Sequence, residues 1–124
     1  MDDERIHIIV VDDDQDTRES LGDWLTSEGY SVDLAATAGQ ALALAEADPP
    51  VCMLLDLGLP DLDGSVLAAL LRRRYGQDLV LLAVTGRDPD EAKPLADKVG
   101  IELVLLKPVR DEDLRKVLPP VRRS

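Results

Sequence analysis

The chain has 124 residues, of which 45% are hydrophobic and 2% aromatic, and its formal net charge is −11. This composition excludes an intrinsically disordered chain, and the negative charge argues against direct binding to nucleic acid, whose phosphates would repel it. No apolar run approaches the ~20 residues that span a bilayer, and the charged start MDDERIH does not look like a signal peptide, so a cytoplasmic protein with no membrane partner is expected.

Five short apolar runs alternate along the chain with segments of helical length. Three of them are nearly continuous in Val, Ile and Leu, which is typical of strands buried on both faces of a parallel sheet. The alternation predicts one (βα)5 domain of the α/β class, with helices on both sides of the sheet. The motif LPP at 118–120 should end the last helix, so the domain is expected to span 1–118, with 119–124 as a tail or the start of a linker. The predicted strands are 6–11, 31–35, 51–55, 79–84 and 102–106.

The segments between these strands carry helix start and stop signals. A capping-box spacing, in which Glu or Gln follows a capping residue at the third position, predicts helix starts at Asp16, Thr37 and Asp88. Gly29 and Gly76 lie where the first and third helices should end.

The fourth helix is irregular because Pro94 falls within it. A proline in a helix interior lacks its N–H donor and clashes with the preceding turn, at a cost of about 3 kcal/mol. We therefore predict that this helix starts late, with Pro94 in its first turn. The alternative is a start at Asp88 and Pro89 with an irregular first turn.

Polar residues follow four of the five predicted strands at the points where those strands end. Because the carboxyl ends of parallel strands lie at one edge of the sheet, where such sheets bind ligands, these side chains are expected to converge. They are Asp12 and Asp13 after the first strand, Asp56 after the third, Thr85 and Gly86 after the fourth, and Lys107 after the fifth.

These residue types favour phosphoryl chemistry. Crowded carboxylates need a counter-charge, and an all-oxygen site suits a hard divalent cation such as Mg²⁺ or Mn²⁺. Aspartate is an established phosphoryl nucleophile, and a bound cation can neutralise charge during the transfer. Lys107 and Thr85 would bind the remaining phosphoryl oxygens, and Gly86 would leave room for the group to arrive.

The ordered motifs VVDDD, LLDLGLPDLDG, VTG and LLKP resemble the receiver domain of bacterial two-component response regulators, over essentially the whole chain. The resemblance implies a flavodoxin-like, three-layer sandwich with a parallel sheet of strand order 2-1-3-4-5. It also implies that Asp56 is phosphorylated by a histidine kinase or a histidine phosphotransfer protein. The chain would then be a phosphorelay component that catalyses only its own phosphorylation and dephosphorylation.

The resemblance assigns roles to individual residues. It implies that Asp13, Asp56 and the backbone carbonyl of Gly58 bind Mg²⁺ directly, and that Asp12 acts through water. Lys107 would contact the phosphoryl group and would precede a cis peptide bond to the following proline.

Further roles concern the rim of the phosphate pocket. Thr85 would be the switching hydroxyl that follows the phosphoryl group. Gly58 and Arg87, each two positions beyond a site residue, would flank the pocket and tune hydrolysis, although a solvated loop charge is an equal alternative for Arg87. Asp14 is expected to turn outward as a bystander.

Val104 departs from the receiver pattern, which usually carries Tyr or Phe three residues before the Lys-Pro pair. The sequence therefore predicts retained phosphorylation chemistry with an atypical output face, an unknown output partner, and a monomer or weak homodimer.

Two other classes of function stay open. One is a phosphorylation-independent docking module built on the same fold. The other, less favoured, is a phosphatase with an aspartate nucleophile, which wants a second carboxylate where this chain has Gly58.

Overall fold

The computed structural model describes residues 5–86 and 89–120. Five strands and five helices alternate along the chain, as the apolar pattern predicts. The strands are β1 (His7–Val11), β2 (Ser31–Ala35), β3 (Cys52–Asp56), β4 (Val80–Thr85) and β5 (Leu103–Leu106). The helices are α1 (Gln15–Ser27), α2 (Ala38–Ala47), α3 (Gly64–Tyr75), α4 (Pro89–Val99) and α5 (Asp111–Val117), with a 3-10 turn over Gly76–Asp78.

All strand pairs are parallel and the strand order is β2-β1-β3-β4-β5, so the predicted fold is confirmed. β1 and the first four residues of β3 are buried, which explains their continuous runs of apolar residues. The sheet separates two apolar clusters. Strand residues such as Ile9 and Leu55 pack with α2, α3 and α4 on one face, and Ile8 and Leu54 pack with α1 and α5 on the other.

Several predicted helix ends are confirmed. Thr37 caps α2, because its side chain accepts a hydrogen bond from the backbone N–H of Gln40. Gly29 and Gly76 follow α1 and α3 with φ values of 104° and 68°, in the left-handed region that glycine enters most easily. α5 ends at Val117, before the prolines.

The predicted start of α1 is wrong by two residues. Asp14 is the N-cap, and its carboxylate accepts a 3.0 Å hydrogen bond from the N–H of Thr17. Asp16 lies within the first turn instead. Both positions carry the same acid, so local sequence could not separate them, and the end of β1 decides which one caps the helix. Asp14 is exposed, as predicted, but it is a structural cap.

The predicted late start of α4 is also wrong. The helix already begins at Pro89, so Pro94 lies in its interior. Pro89 occupies the first helical position, where a missing N–H costs nothing. Packing of the buried Ala96 and of Val99 against the α3 side of the sheet holds the helix despite its interior proline. The predicted cap Asp88 lies outside the described residues.

Within the described residues, no helix is long and apolar enough to cross a bilayer.

Candidate functional site

The register of β1 and β3 brings the acidic residues together. Val11 pairs with Leu55, so the residues that follow, Asp12 and Asp56, emerge side by side at the carboxyl edge of the sheet. One carboxylate oxygen from each of Asp12, Asp13 and Asp56 lies within 4.8 Å of the other two. The convergence that the strand ends predict is therefore present.

Lys107 reaches this cluster from the far strand. Thr85 pairs with Leu106, and the backbone N–H of Lys107 donates a 2.8 Å hydrogen bond to the carbonyl of Thr85, which extends the pairing by one residue. The Lys107 Nζ lies 2.8 Å from Asp12 Oδ2 and 3.1 Å from Asp56 Oδ2. The peptide bond between Lys107 and Pro108 is cis, as the resemblance implies.

The three acids have different surroundings. Asp12 is only 2% exposed, Asp56 is half-buried and Asp13 is exposed. Burial raises the pKa of Asp12, against the opposing effects of its hydrogen bonds to Lys107 and to the N–H of Asp14. A buried carboxylate beside a second carboxylate is unfavourable unless a cation is close.

Lys107 supplies part of that positive charge. Burial lowers the pKa of Lys107, but its hydrogen bonds and charge interactions with Asp12 and Asp56 outweigh that effect, and the net shift is upward. The ammonium is therefore fully charged at neutral pH. One ammonium faces three carboxylates, so the site retains net negative charge that a cation can neutralise.

The donor set fits a hard divalent cation. All three side chains offer carboxylate oxygens, and no sulfur or imidazole takes part in the cluster among the described residues. Mg²⁺ prefers one or two carboxylates and keeps several waters, which the exposure of Asp13 permits. Asp12, Asp13 and Asp56 are the residues that would hold such an ion here.

A cleft of about 710 Å³ opens beside Asp56, between the loop after β3 and the first half of α4. Thr85, Gly86 and Gly58 line this cleft together with Lys107. A Cβ at Gly86 would meet nothing within 4 Å, so the space there is open whether or not the residue is glycine. The cleft leaves Asp56 accessible from solvent.

The remaining predicted residues are less directly placed. Val104 lies in β5, where it pairs with Ala83 and is partly buried against the α2–α4 cluster. It therefore lies below the rim rather than in the cleft. Arg87 lies outside the described residues, so its predicted tuning role stays a prediction.

Two supporting residues escape the sequence patterns. Arg18 in α1 donates a 2.8 Å hydrogen bond to the carbonyl of Asp12 and so holds the end of β1. Asp61, in the loop after β3, accepts hydrogen bonds from the backbone N–H groups of the first two residues of α2. Asp63 is the residue that caps α3. Capping by a distant loop leaves no local sequence signal.

Comparison with known protein families shows which family the chain belongs to. The family model of the response regulator receiver domain matches residues 8–119. The chain belongs to this family. It is therefore a receiver domain of two-component signal transduction.

Curated relatives and solved structures agree with this assignment. The response regulator MprA of Mycolicibacterium vanbaalenii is 39% identical over 109 residues, which cover 88% of this chain and 47% of that protein. MprA of Mycobacterium tuberculosis is 38% identical with the same coverage. The chain thus spans about half the length of these relatives.

Two solved structures are informative. A CheY-like receiver domain from Methanospirillum hungatei is 32% identical, with a TM-score of 0.85 and coverage of 91% of this chain and 90% of the other. A response regulator from Burkholderia pseudomallei, described with a phosphorylated aspartic acid, a calcium ion and citrate, is 29% identical, with a TM-score of 0.84. That match covers 92% of this chain and 66% of the other.

Proposed function

We propose that this receiver accepts a phosphoryl group on Asp56 from a histidine kinase or histidine phosphotransfer protein, in a Mg²⁺-dependent reaction that changes its binding to an output partner. The observation that carries this proposal is the cluster of Asp12, Asp13 and Asp56 with the Lys107 ammonium 3.1 Å from the acceptor carboxylate. The phosphorylated aspartic acid and the cation in the Burkholderia pseudomallei protein support the same chemistry.

Each site residue has a defined task in this transfer. A carboxylate oxygen of Asp56 attacks phosphorus, a P–O bond forms, and the P–N bond to the donor histidine breaks, which returns the imidazole to the partner. Lys107 can leave its contact with Asp56 for a phosphoryl oxygen, and the Thr85 hydroxyl can donate to another. When bound, Mg²⁺ neutralises the developing charge on the phosphoryl oxygens.

Sustained phosphatase turnover is not proposed. A phosphatase with an aspartate nucleophile needs a second carboxylate, two residues beyond the nucleophile, as general acid. Gly58 occupies that position here. The chain is proposed to catalyse only its own phosphorylation and dephosphorylation, and the open cleft beside Asp56 gives water access to the phosphoryl group.

The output face is proposed to be atypical. The Tyr or Phe that receivers usually carry is replaced by Val104, which is partly buried and has no ring that could rotate with Thr85. Phosphorylation would therefore act on the partner surface through Thr85, Lys107 and the loops at the rim.

Intact-protein mass spectrometry after incubation with acetyl phosphate or phosphoramidate and Mg²⁺ tests the proposal. We expect a gain of one phosphoryl group, lost on addition of a chelator and absent in Asp56→Asn. Asp78→Asn is the matched control, because Asp78 is an exposed aspartate just before β4, at the opposite edge of the sheet. This variant should be phosphorylated like the wild type.

The same experiment separates the alternatives. Sustained phosphate release without an adduct would contradict the receiver chemistry and favour a phosphatase. The absence of both adduct and release would favour a phosphorylation-independent docking module.

A further inference from the structure

The loop between β3 and α3 is tied to a different helix from the one it leads into. Asp61, in the middle of this loop, accepts a 2.9 Å hydrogen bond from the N–H of Ala38 on one carboxylate oxygen. Its other oxygen accepts a 3.1 Å hydrogen bond from the N–H of Gly39. Ala38 and Gly39 are the first two residues of α2, so the loop caps a helix that precedes it by 22 residues or more.

Two residues divide the capping of α2 between them. The first turn of a helix leaves backbone N–H groups without helical acceptors. Thr37, the residue directly before the helix, accepts a 3.1 Å hydrogen bond from the N–H of Gln40, whereas Asp61, in the loop, accepts from the two preceding N–H groups. The two caps serve one helix end, but only Asp61 links that end to the loop.

The carboxylate of Asp61 suits this position electrostatically. The positive end of the α2 dipole favours an anion. The hydrogen bonds from Ala38 and then from Gly39 lower the pKa of Asp61, so it is ionised throughout the neutral range.

The same loop carries the residues that surround the phosphoacceptor. Gly58 lies two residues after Asp56, and its N–H donates a 3.0 Å hydrogen bond to Asp56 Oδ1. At the base of the loop, the N–H of Gly64 donates to the carbonyl of Leu57 at 3.0 Å. A Cβ at Gly64 would lie 2.6 Å from the backbone of Asp56 and Leu57, so the base is closed tightly. The span between Gly58 and Gly64 is held to α2 by Asp61.

We propose that Asp61 is a positioning residue, which fixes the β3–α3 loop to the N-terminus of α2 and so holds the Gly58 carbonyl ready for the metal ion. This inference rests on the proposed function, because it concerns the cation and acceptor of that same site. The N-terminus of α2 would thus contribute to cation affinity indirectly, because it anchors the β3–α3 loop through Asp61.

Titration calorimetry with Mg²⁺ on three single variants tests the inference. Asp61→Ala should raise the Mg²⁺ dissociation constant about tenfold, the lower end of the range for supporting residues around a metal site. Thr37→Ala removes a cap from the same helix end without touching the loop, and should change the constant by less than about twofold. Asp61→Asn removes the charge but keeps an acceptor oxygen for one N–H, so it should recover most of the affinity lost in the alanine variant.

Hydrogen exchange on the metal-free protein gives a second, independent measurement. Peptides from the β3–α3 loop should exchange faster in Asp61→Ala than in the wild type and stay unchanged in Thr37→Ala. Peptides from α2 should exchange faster in both variants, which confirms that the two caps are comparably weakened.

The outcomes distinguish the inference from the proposed function. Equal dissociation constants for Asp61→Ala and Asp61→Asn would mean that charge alone matters, and would overturn the positioning role. Equal values for Asp61→Ala and Thr37→Ala would overturn it too. A wild type without Mg²⁺ affinity would contradict the proposed metal-dependent function, and unchanged loop exchange in Asp61→Ala would by itself overturn the link between the loop and α2.

Discussion

The sheet has an acidic half, which contains β1 and β3, and a β5 half, and the two halves are packed differently. β1 and β3, which end in the acids, are buried along nearly their whole length between two layers of helices. β5, which ends in Lys107, is a four-residue edge strand whose end residues Leu103 and Leu106 are 37% and 50% exposed. The helices beside it are an eleven-residue helix with an interior proline, α4, and a seven-residue helix, α5.

Polar contacts compensate for the lower burial of the β5 half. Arg72 in α3 donates to the carbonyls of Leu79 and Gly100 and lies 3.2 Å from a carboxylate oxygen of Glu102. Glu102 in turn accepts a hydrogen bond from the N–H of Leu81. Apolar packing thus stabilises the acidic half of the sheet. The segment that leads into β5 is stabilised by hydrogen bonds of Arg72 and Glu102. The strands that lead into Asp12 and Asp56 are therefore more completely buried than the strand that leads into Lys107.

Matched leucine truncations should show the largest difference between the halves. Leu55 is fully buried in β3 and Leu103 is partly exposed in β5. We expect Leu55→Ala to lower the free energy of unfolding by about 2–5 kcal/mol and Leu103→Ala by about 1 kcal/mol or less. Urea unfolding followed by circular dichroism measures both, and equal losses would contradict the comparison.

Removal of the ammonium that joins the halves should have the next largest effect. Lys107→Met leaves the buried carboxylate of Asp12 without its cation, and we expect a loss of about 2 kcal/mol in unfolding free energy at neutral pH. The double variant Asp12→Asn with Lys107→Met should recover most of this loss, since the buried charge is then absent. An additive double variant would show that the pair is not coupled.

The same pair predicts a pH dependence with a definite sign. The pKa of Lys107 is raised in the folded protein, so its contribution to stability is complete below about pH 10.4, the ordinary lysine value. That contribution is lost as the pH rises through the raised value. The stability difference between wild type and Lys107→Met should therefore shrink between pH 9 and strongly alkaline pH, and a difference that grows would contradict the assignment.

Repair of α4 should strengthen the weaker half. Pro94→Ala restores an N–H whose helical partner is the carbonyl of Asp90, and removes a steric cost of about 3 kcal/mol. Greater freedom of the unfolded chain offsets about 1 kcal/mol of this, so we expect a gain of about 2 kcal/mol in urea unfolding. Pro89→Ala is the control, because proline at the first helical position displaces no hydrogen bond, and it should give no gain.

An aromatic side chain at the atypical position should have the smallest effect on stability. Val104→Tyr should change the unfolding free energy by about 1 kcal/mol or less, because Val104 is only partly buried. The phosphorylated mass should form as in the wild type, while affinity for an output partner should change. A defect in phosphorylation would show that Val104 belongs to the phosphoacceptor site rather than to the output face.

Much of the fold and site could be predicted because the signals are local and repeated. Buried parallel strands require apolar runs, so five such runs predict a five-stranded sheet. A polar residue at the end of such a run is rarely needed for packing, which makes it a candidate site residue. Asp12, Asp56 and Lys107 were predicted on this ground. The wrong predictions have two causes. Asp14 and Asp16 are equally good helix caps by residue type, so the sequence could not tell which one caps α1. At Pro94, tertiary packing outweighs the free-energy cost of a proline inside a helix.

The sequence by itself determined the βα alternation, the edge at which the site lies and the residues that form it, because each depends on periodicity and strand ends. Only the tertiary structure decided that Lys107 bridges Asp12 and Asp56, that Asp61 caps α2, and that Pro94 lies inside α4. These features join segments far apart in the chain, or depend on packing energy that compensates a local cost. The register between β1 and β3 places Asp12 beside Asp56, and neither segment alone specifies that contact.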